Sequence, residues 1–288
     1  LKEATMTKIL ALVDGSGYAE SVCHHTAWIA KWLGAGVDLL HLLPEGGAAE
    51  SKDLSGALAL GARTALLKDL AELDAQRAKL TTAQGHAILD AARAIVEADG
   101  VGPVREKLRY GEMVETLRKL EPDVRALVMG KRGESSAGAF DHLGHNLERV
   151  LRSATVPVFV ASRRFQPIEK VLIAFDASAS ALRAVDRMAV SPVFAGLEAV
   201  LIHAGADTPA IRQALDVARE KLAAGGVQIS VQVVVGEPEE ALERKIAADG
   251  FGLLVMGAYG HSRIRNLIIG STTTALIRAC KIPVLLYR

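Results

Sequence analysis

Cysteine, net charge and long apolar runs are all scarce in this chain. Two cysteines, Cys23 and Cys280, occur in 288 residues. So few cannot build a disulfide framework. Both lie in apolar patterns of helical spacing, which predicts buried free thiols. The formal net charge is +1, with no basic or acidic tail. This leaves no electrostatic case for nucleic acid or a membrane surface as a partner. No apolar run approaches the roughly 18 residues that a bilayer span needs. Leu1 to Thr7 hold neither a long apolar core nor a small-residue cleavage site, so no secretory signal is expected. Met6 is a candidate natural start, and the cytoplasm is the expected compartment. Cys-x-x-Cys, His-Glu-x-x-His and Gly-x-Ser-x-Gly patterns are also missing, which removes the common metal and serine-nucleophile readings.

What is present is a dense set of apolar segments, half of all residues being hydrophobic. That suffices for one or two packed domains. The segments repeat. Lys8-Ile9-Leu10-Ala11-Leu12-Val13-Asp14-Gly15-Ser16 returns as Lys170-Val171-Leu172-Ile173-Ala174-Phe175-Asp176-Ala177-Ser178. An unbroken apolar run that ends in Asp and a small residue suits a central parallel strand. Helical spacing follows in each copy, over Ser16 to Leu33 and Ala181 to Val190. A second strand comes next, with His41 and His203 in matching places. Leu108-Arg109-Tyr110-Gly111-Glu112 pairs with Val233-Val234-Val235-Gly236-Glu237, each before a helix. Ala126 to Gly133 pairs with Leu253 to Gly260. Val156-Pro157-Val158 and Ile282-Pro283-Val284 open the last strands, where a proline is tolerated at a strand start or edge.

Alternating strands and helices make each copy an α/β layer structure. The expected fold is two tandem, open, mainly parallel five-stranded sheets with helices on both faces, packed as a pseudo-dimer. The boundary falls near Ser162 to Pro167, giving domains 1–163 and 164–288. The last strands are candidates to meet across the pseudo-twofold axis. The first copy is longer between its second strand and Gly111. The extra stretch, Ser55 to Leu80, reads as a long helix or as two helices broken near Thr81 to Gly85. Leu66, Leu70 and Leu73 give it an apolar face, either for packing on the sheet or as a lid or partner surface.

Gly257-x2-Gly260-x9-Gly270-Ser271 follows a buried strand and opens a helix. Such a loop brings free backbone N–H groups, a hydroxyl and a positive helix end to where anionic oxygens could sit. An ordinary turn and N-cap is the alternative on spacing alone.

Asp176, the His203-Ala204 strand end, this glycine loop and Ile282-Pro283-Val284 together resemble the universal stress protein family. The first half resembles it more weakly, so the chain looks like a tandem member with the adenine-nucleotide alpha hydrolase-like fold. The resemblance implies ATP binding, with slow hydrolysis at most, and a regulatory stress-response role. It implies that Asp176 and Ala204 line the adenine and ribose, the latter with a smaller contact than the usual Val. Met256 and Gly257 would flank the ribose. Gly260, Gly270 and Ser271 would hold the phosphates, with Thr272 close behind. His261 and Arg263, with Arg265, lie in the nine-residue loop and could add charge to the phosphates. Mg²⁺ would accompany ATP, although no dedicated carboxylate is evident. The first half has ten residues before Gly144, and His145 stands in place of the Ser. It reads as a degenerate copy, with Lys131, Arg132 and His145 as candidates for another anion.

Several residues have a plain reading beside a functional one. His41 and His203 are read as structural. Glu112 and Glu237 are read as helix caps, and the adjacent His24 and His25 would point to different sides of a helix, which argues against a metal site. Trp28 and Trp32 are expected to face the core or a domain contact. A competing function is an interaction module that binds no nucleotide, with the inserted helices carrying a protein partner. A further homodimer is compatible with either function. A nucleotidyl transferase is the third and weakest, for it lacks a visible nucleophile, base or metal cluster.

Overall fold

The structure is a computed structural model that describes residues 8–44, 60–133, 144–258 and 271–288. The first half runs β1 (Lys8–Leu12), α1 (Ala19–Leu33), β2 (Val37–Leu43), α2 (Leu60–Ala98) and β3 (Val104–Tyr110). It continues through α3 (Met113–Leu120), β4 (Val124–Gly130), α4 (His145–Ser153) and β5 (Val158–Ala161). The second half repeats the order as β6 (Lys170–Ala174), α5 (Ala179–Ala189), β7 (Glu198–Ala204), α6 (Pro209–Ala224) and β8 (Gln228–Val234). It ends with α7 (Pro238–Asp249), β9 (Leu253–Gly257), α8 (Ser271–Ala279) and β10 (Val284–Tyr287).

The two five-stranded units do not stay separate. They form one ten-stranded sheet, in the order β3-β2-β1-β4-β5-β10-β9-β6-β7-β8. Within each half the strand pairs are parallel. The halves join where β5 meets β10 antiparallel, Val160 beside Val284 and Val158 beside Leu286. Both strands are buried along their whole length. Left apart, each would be an open apolar edge with unpaired backbone groups, so each serves as the other's cover.

Helices lie on both faces. Val22, Leu89, Val185 and Leu215 bring α1, α2, α5 and α6 onto one face. Leu117, Leu147, Leu242 and Leu276 bring α3, α4, α7 and α8 onto the other. Each core layer therefore runs through both halves. Helix starts are fixed by side chains: Ser178 accepts from the Ala181 N–H, Thr208 from Ile211 and Glu112 from Glu115. The capping role expected of Glu112 is observed, whereas Glu237 makes no side-chain cap bond.

Of the two readings of the inserted stretch, the long helix holds: α2 is continuous over 39 residues, with no break near Gly85. Gly85 is there for space. A Cβ on it would stand 2.7 Å from Leu108 Cδ1 and 3.0 Å from His41 Cδ2, so glycine lets α2 lie close on the sheet. Its early part does not pack on the sheet: Leu70 and Leu73 are exposed, and the side chain of Leu66 and residues 55–59 lie outside the described residues. The expectation for the tryptophans needs correction: Trp28 packs against the core, but Trp32 is 49% exposed, because it falls on the outer side of α1. The thiols are as expected. Cys23 and Cys280 are free and buried, and burial pushes them up to about 12 and about 11, which keeps them protonated and inert.

Candidate functional site

The strand order reverses direction twice, between β1 and β4 and between β6 and β9. At such a point the loops leaving the carboxyl ends diverge and open a crevice. The chain places repeated chemistry at both crevices.

In the second half, Asp176 follows β6, Ala204 ends β7 and Met256-Gly257 end β9. Asp176 Oδ1 accepts the Ser178 N–H at 2.9 Å, which folds the strand-end turn. Within that turn Ala177 has φ 60°, in the left-handed region. His203 Nδ1 donates to the Phe175 carbonyl at 2.9 Å, tying the end of β7 to the end of β6. The Met256 side chain belongs to the core layer of α7 and α8. Gly257 is needed for packing, because a Cβ there would lie 2.3 Å from Ser180 Oγ and 2.9 Å from the Ala181 nitrogen. α8 opens at Ser271, and Thr272 is half-buried in its first turn. Gly260, His261, Arg263 and Gly270 lie outside the described residues, with Arg265.

Two residues escaped the sequence reading. Thr273 Oγ1 donates to the Ala258 carbonyl at 3.4 Å and fastens the start of α8 to the end of β9. Its signal was the hydroxyl run Ser271 to Thr274 at a helix start. Ser180 is the other. It stands four residues after Asp176, where its side chain lies against Gly257.

The first half repeats the scaffold with different contents. Asp14 Oδ1 accepts the Ser16 N–H at 3.0 Å, and His41 Nδ1 donates to the Val13 carbonyl at 2.8 Å. Both repeated histidines are therefore structural links. A cleft of about 600 Å³ opens here, between Asp14, Tyr18, Gln84, Lys131, Asn146 and Arg149. The protein fills part of its own cradle. The Gly144 N–H, at the start of α4, donates to the Lys131 carbonyl at 3.3 Å. Arg149 and Glu112, both lining the cleft, form an ion pair. Lys131 donates from Nζ to the Cys280 carbonyl, in the other half. Burial holds its ammonium down to about 8, and the nearby Arg132 charge adds to this. The side chain of His145 lies outside the described residues.

Among the described residues, no group of three or more His, Cys, Asp or Glu could hold a metal ion. His24 instead contacts Asp99 at 2.7 Å. His25 Nδ1 donates to the Ser21 carbonyl at 2.7 Å, with its ring against Phe159 and Phe165. Among the described residues, no helix is long and apolar enough to cross a membrane.

Comparisons with known proteins agree with this geometry. The chain is 37% identical over 288 residues to universal stress protein Slr1230 of Synechocystis, covering 98% of this chain and all of the relative. It is 25% identical over 223 residues to universal stress protein Rv2005c of Mycobacterium tuberculosis, covering 68% of this chain and 73% of that one. A universal stress protein crystal structure from Archaeoglobus fulgidus has the same fold, with a TM-score of 0.67 over 98% of this chain and 96% of that one, at 22% identity. The sequence profile of the family matches residues 5–162 and 174–288. With two matching segments, a repeated strand order and a single shared sheet, the chain belongs to the universal stress protein family as a tandem member.

Proposed function

We propose that this protein binds ATP in its second half and uses the bound state as a regulatory signal in a stress response. One observation carries this reading. The start of α8 is fastened beside the end of β9 by Thr273 and Ala258, at the point where the strand order reverses. Free N–H groups of a helix start at such an edge suit phosphate. In this reading Asp176 and Ala204 line the base and ribose, and Met256 offers main chain, its side chain being in the core. Gly257 flanks the ribose with Met256, and Gly260, Gly270 and Ser271 hold the phosphates, with Thr272 close behind and His261 and Arg263 adding charge. Bound ATP supplies anionic phosphates that carry Mg²⁺ with them. The cytoplasm is the compartment that provides both. ATP would favour one arrangement of loop and helix, and a partner would read that arrangement.

Calorimetric titration of ATP tests the assignment. Wild type should bind, Gly270→Val and Ser271→Ala should weaken binding at least tenfold, and His145→Ala in the first half should leave it unchanged. Ordinary binding by both second-half variants would sink the site.

A second reading, an interaction module, has its own observation. Leu67, Leu70, Leu73 and Leu80 are exposed on the part of α2 that precedes its buried segment. If Leu70→Lys with Leu73→Lys abolishes the stress phenotype while ATP still binds, that surface is the output of the protein.

A further inference from the structure

We infer that the cavity between the two halves is a binding site for a compact anion that carries two or more phosphate groups. The cavity has a volume of about 720 Å³, within the range of small-ligand sites, on the order of 300–1,000 Å³. Lys131, Arg132, Arg163, Arg164, Arg278 and Lys281 line it, and no described carboxylate does. That is six cations in one concavity of a chain whose net charge is only +1. A cleft lined by one sign of charge focuses its field and concentrates counter-ions. Glu243 acts on the Cys280 thiol from outside this lining.

The cations are placed in two tiers. Arg163, Arg164, Arg278 and Lys281 line the cavity and are exposed. Lys131 is only 8% exposed. Its Nζ donates to the Cys280 carbonyl, a neutral acceptor. Burying an ammonium without a counter-charge is costly, and the carbonyl supplies a dipole only. An anion in the cavity would supply the missing charge. Burial already lowers the Lys131 ammonium to about 8, in keeping with a group that lacks a carboxylate neighbour.

The chemistry selects phosphate. Four guanidinium groups offer forked N–H pairs that match phosphate oxygens, and ammonium groups add point charge. Several cations around one pocket favour a ligand with several negative charges over a single carboxylate. The concave shape and the position between two packed halves favour a compact molecule over a polymer. Because Lys131 and Arg132 come from the first half and Arg278 and Lys281 from the second, one ligand would bridge both. Ligand and structure are then linked: the anion relieves repulsion among like charges and fastens the halves together.

This site stands apart from the nucleotide cradle of the second half. Inorganic tripolyphosphate is the probe, titrated calorimetrically near physiological salt, with sulfate at equal ionic strength as the control. Wild type should bind tripolyphosphate and show a raised Tm, with sulfate at least tenfold weaker. The pairs Arg163→Ser with Arg164→Ser, and Arg278→Gln with Lys281→Gln, remove exposed side chains and should fold. Each should weaken tripolyphosphate at least tenfold and abolish the Tm rise. Ser271→Ala should keep the part of the tripolyphosphate binding that the paired variants remove, whatever it does to ATP. No binding by wild type, or equal binding by wild type and both paired variants, would overturn the inference. Loss of that same part with Ser271→Ala would overturn it as well, by moving the anion to the cradle.

Discussion

Gly130 and Gly257 hold the same place in the two halves, at the end of β4 and the end of β9. Each faces the residue four places after the strand-end aspartate, Tyr18 in one copy and Ser180 in the other. A Cβ on Gly130 would meet Tyr18 Cβ at 2.7 Å, and one on Gly257 would meet Ser180 Oγ at 2.3 Å. Both glycines therefore belong to the scaffold, whatever binds nearby. The copies part company just beyond them. In the first, the Gly144 N–H is spent on the Lys131 carbonyl and Tyr18 fills space in the cleft. In the second, α8 starts with a hydroxyl run fastened to β9. The difference teaches that the fold keeps its glycines for packing, while the helix start decides what the edge can hold.

Helices α2 and α6 give a second contrast. Leu89, Ala92 and Val96 are buried at the same spacing as Leu215, Ala218 and Leu222. The last part of α2 is thus the counterpart of α6, and the described side chains from Leu67 to Gln84 are mostly exposed. Leu89→Ala should cost about 3 kcal/mol, the usual penalty for a cavity at a fully buried leucine. Leu73→Ala, at a side chain 50% exposed, should change stability by less than about 0.5 kcal/mol. Urea denaturation of both variants measures the contrast, and equal costs would break it.

Gly257→Ala should cost about 2–3 kcal/mol by overpacking. Ser180→Ala should return only part of this, since the Ala181 backbone nitrogen stays 2.9 Å from the new methyl. A double-mutant cycle reads the coupling.

His25 separates the halves by pH. It is fully buried against Phe159 and Phe165, and burial lowers its imidazole from 6.5 to about 4. Counted from the strand-end aspartates, its counterpart in α5 is the exposed Arg187. Between pH 6.5 and 4 the unfolded chain binds the proton that the folded chain refuses. The stabilisation is thus complete above 6.5 and is lost as pH falls through that window. From pH 7 to 5 the loss should reach about 2 kcal/mol. His25→Phe should flatten this part of a Tm-against-pH profile, and an unchanged slope would contradict the assignment.

The smallest effect belongs to Ala177. The first copy has Gly15 where Ala177 stands, and Ala177 carries φ 60°. Ala177→Gly should stabilise the chain by up to about 1 kcal/mol, read as a Tm increase, by removing the clash of a Cβ in the left-handed region.

Much of this architecture was legible in the residues. The doubled Lys8–Ser16 and Lys170–Ser178 strings, with His41 and His203 at matching strand ends, were enough to place two α/β units. The choice between one long α2 and two shorter helices was not, because Gly85 reads locally as a breaker. Only the Leu108 and His41 side chains beside it explain why a glycine stands in that helix. The outward side of Trp32 was equally hidden, since helical spacing alone does not say how wide the buried stripe is.

The residues near each strand end, Asp176, Ala204, Met256 and Gly257, were brought to one edge by the order of strands and helices. That order follows from apolar periodicity, which is a local property of the sequence. The sequence named the last strands as candidates to meet, and tertiary structure decided that they do so antiparallel and in which register. The pairing of β5 with β10, the burial of Lys131 against Cys280 and the gathering of six cations between the halves join residues far apart in the chain. No periodic pattern encodes such contacts. They arise because two apolar edge strands bury more backbone and side chain together than either can alone.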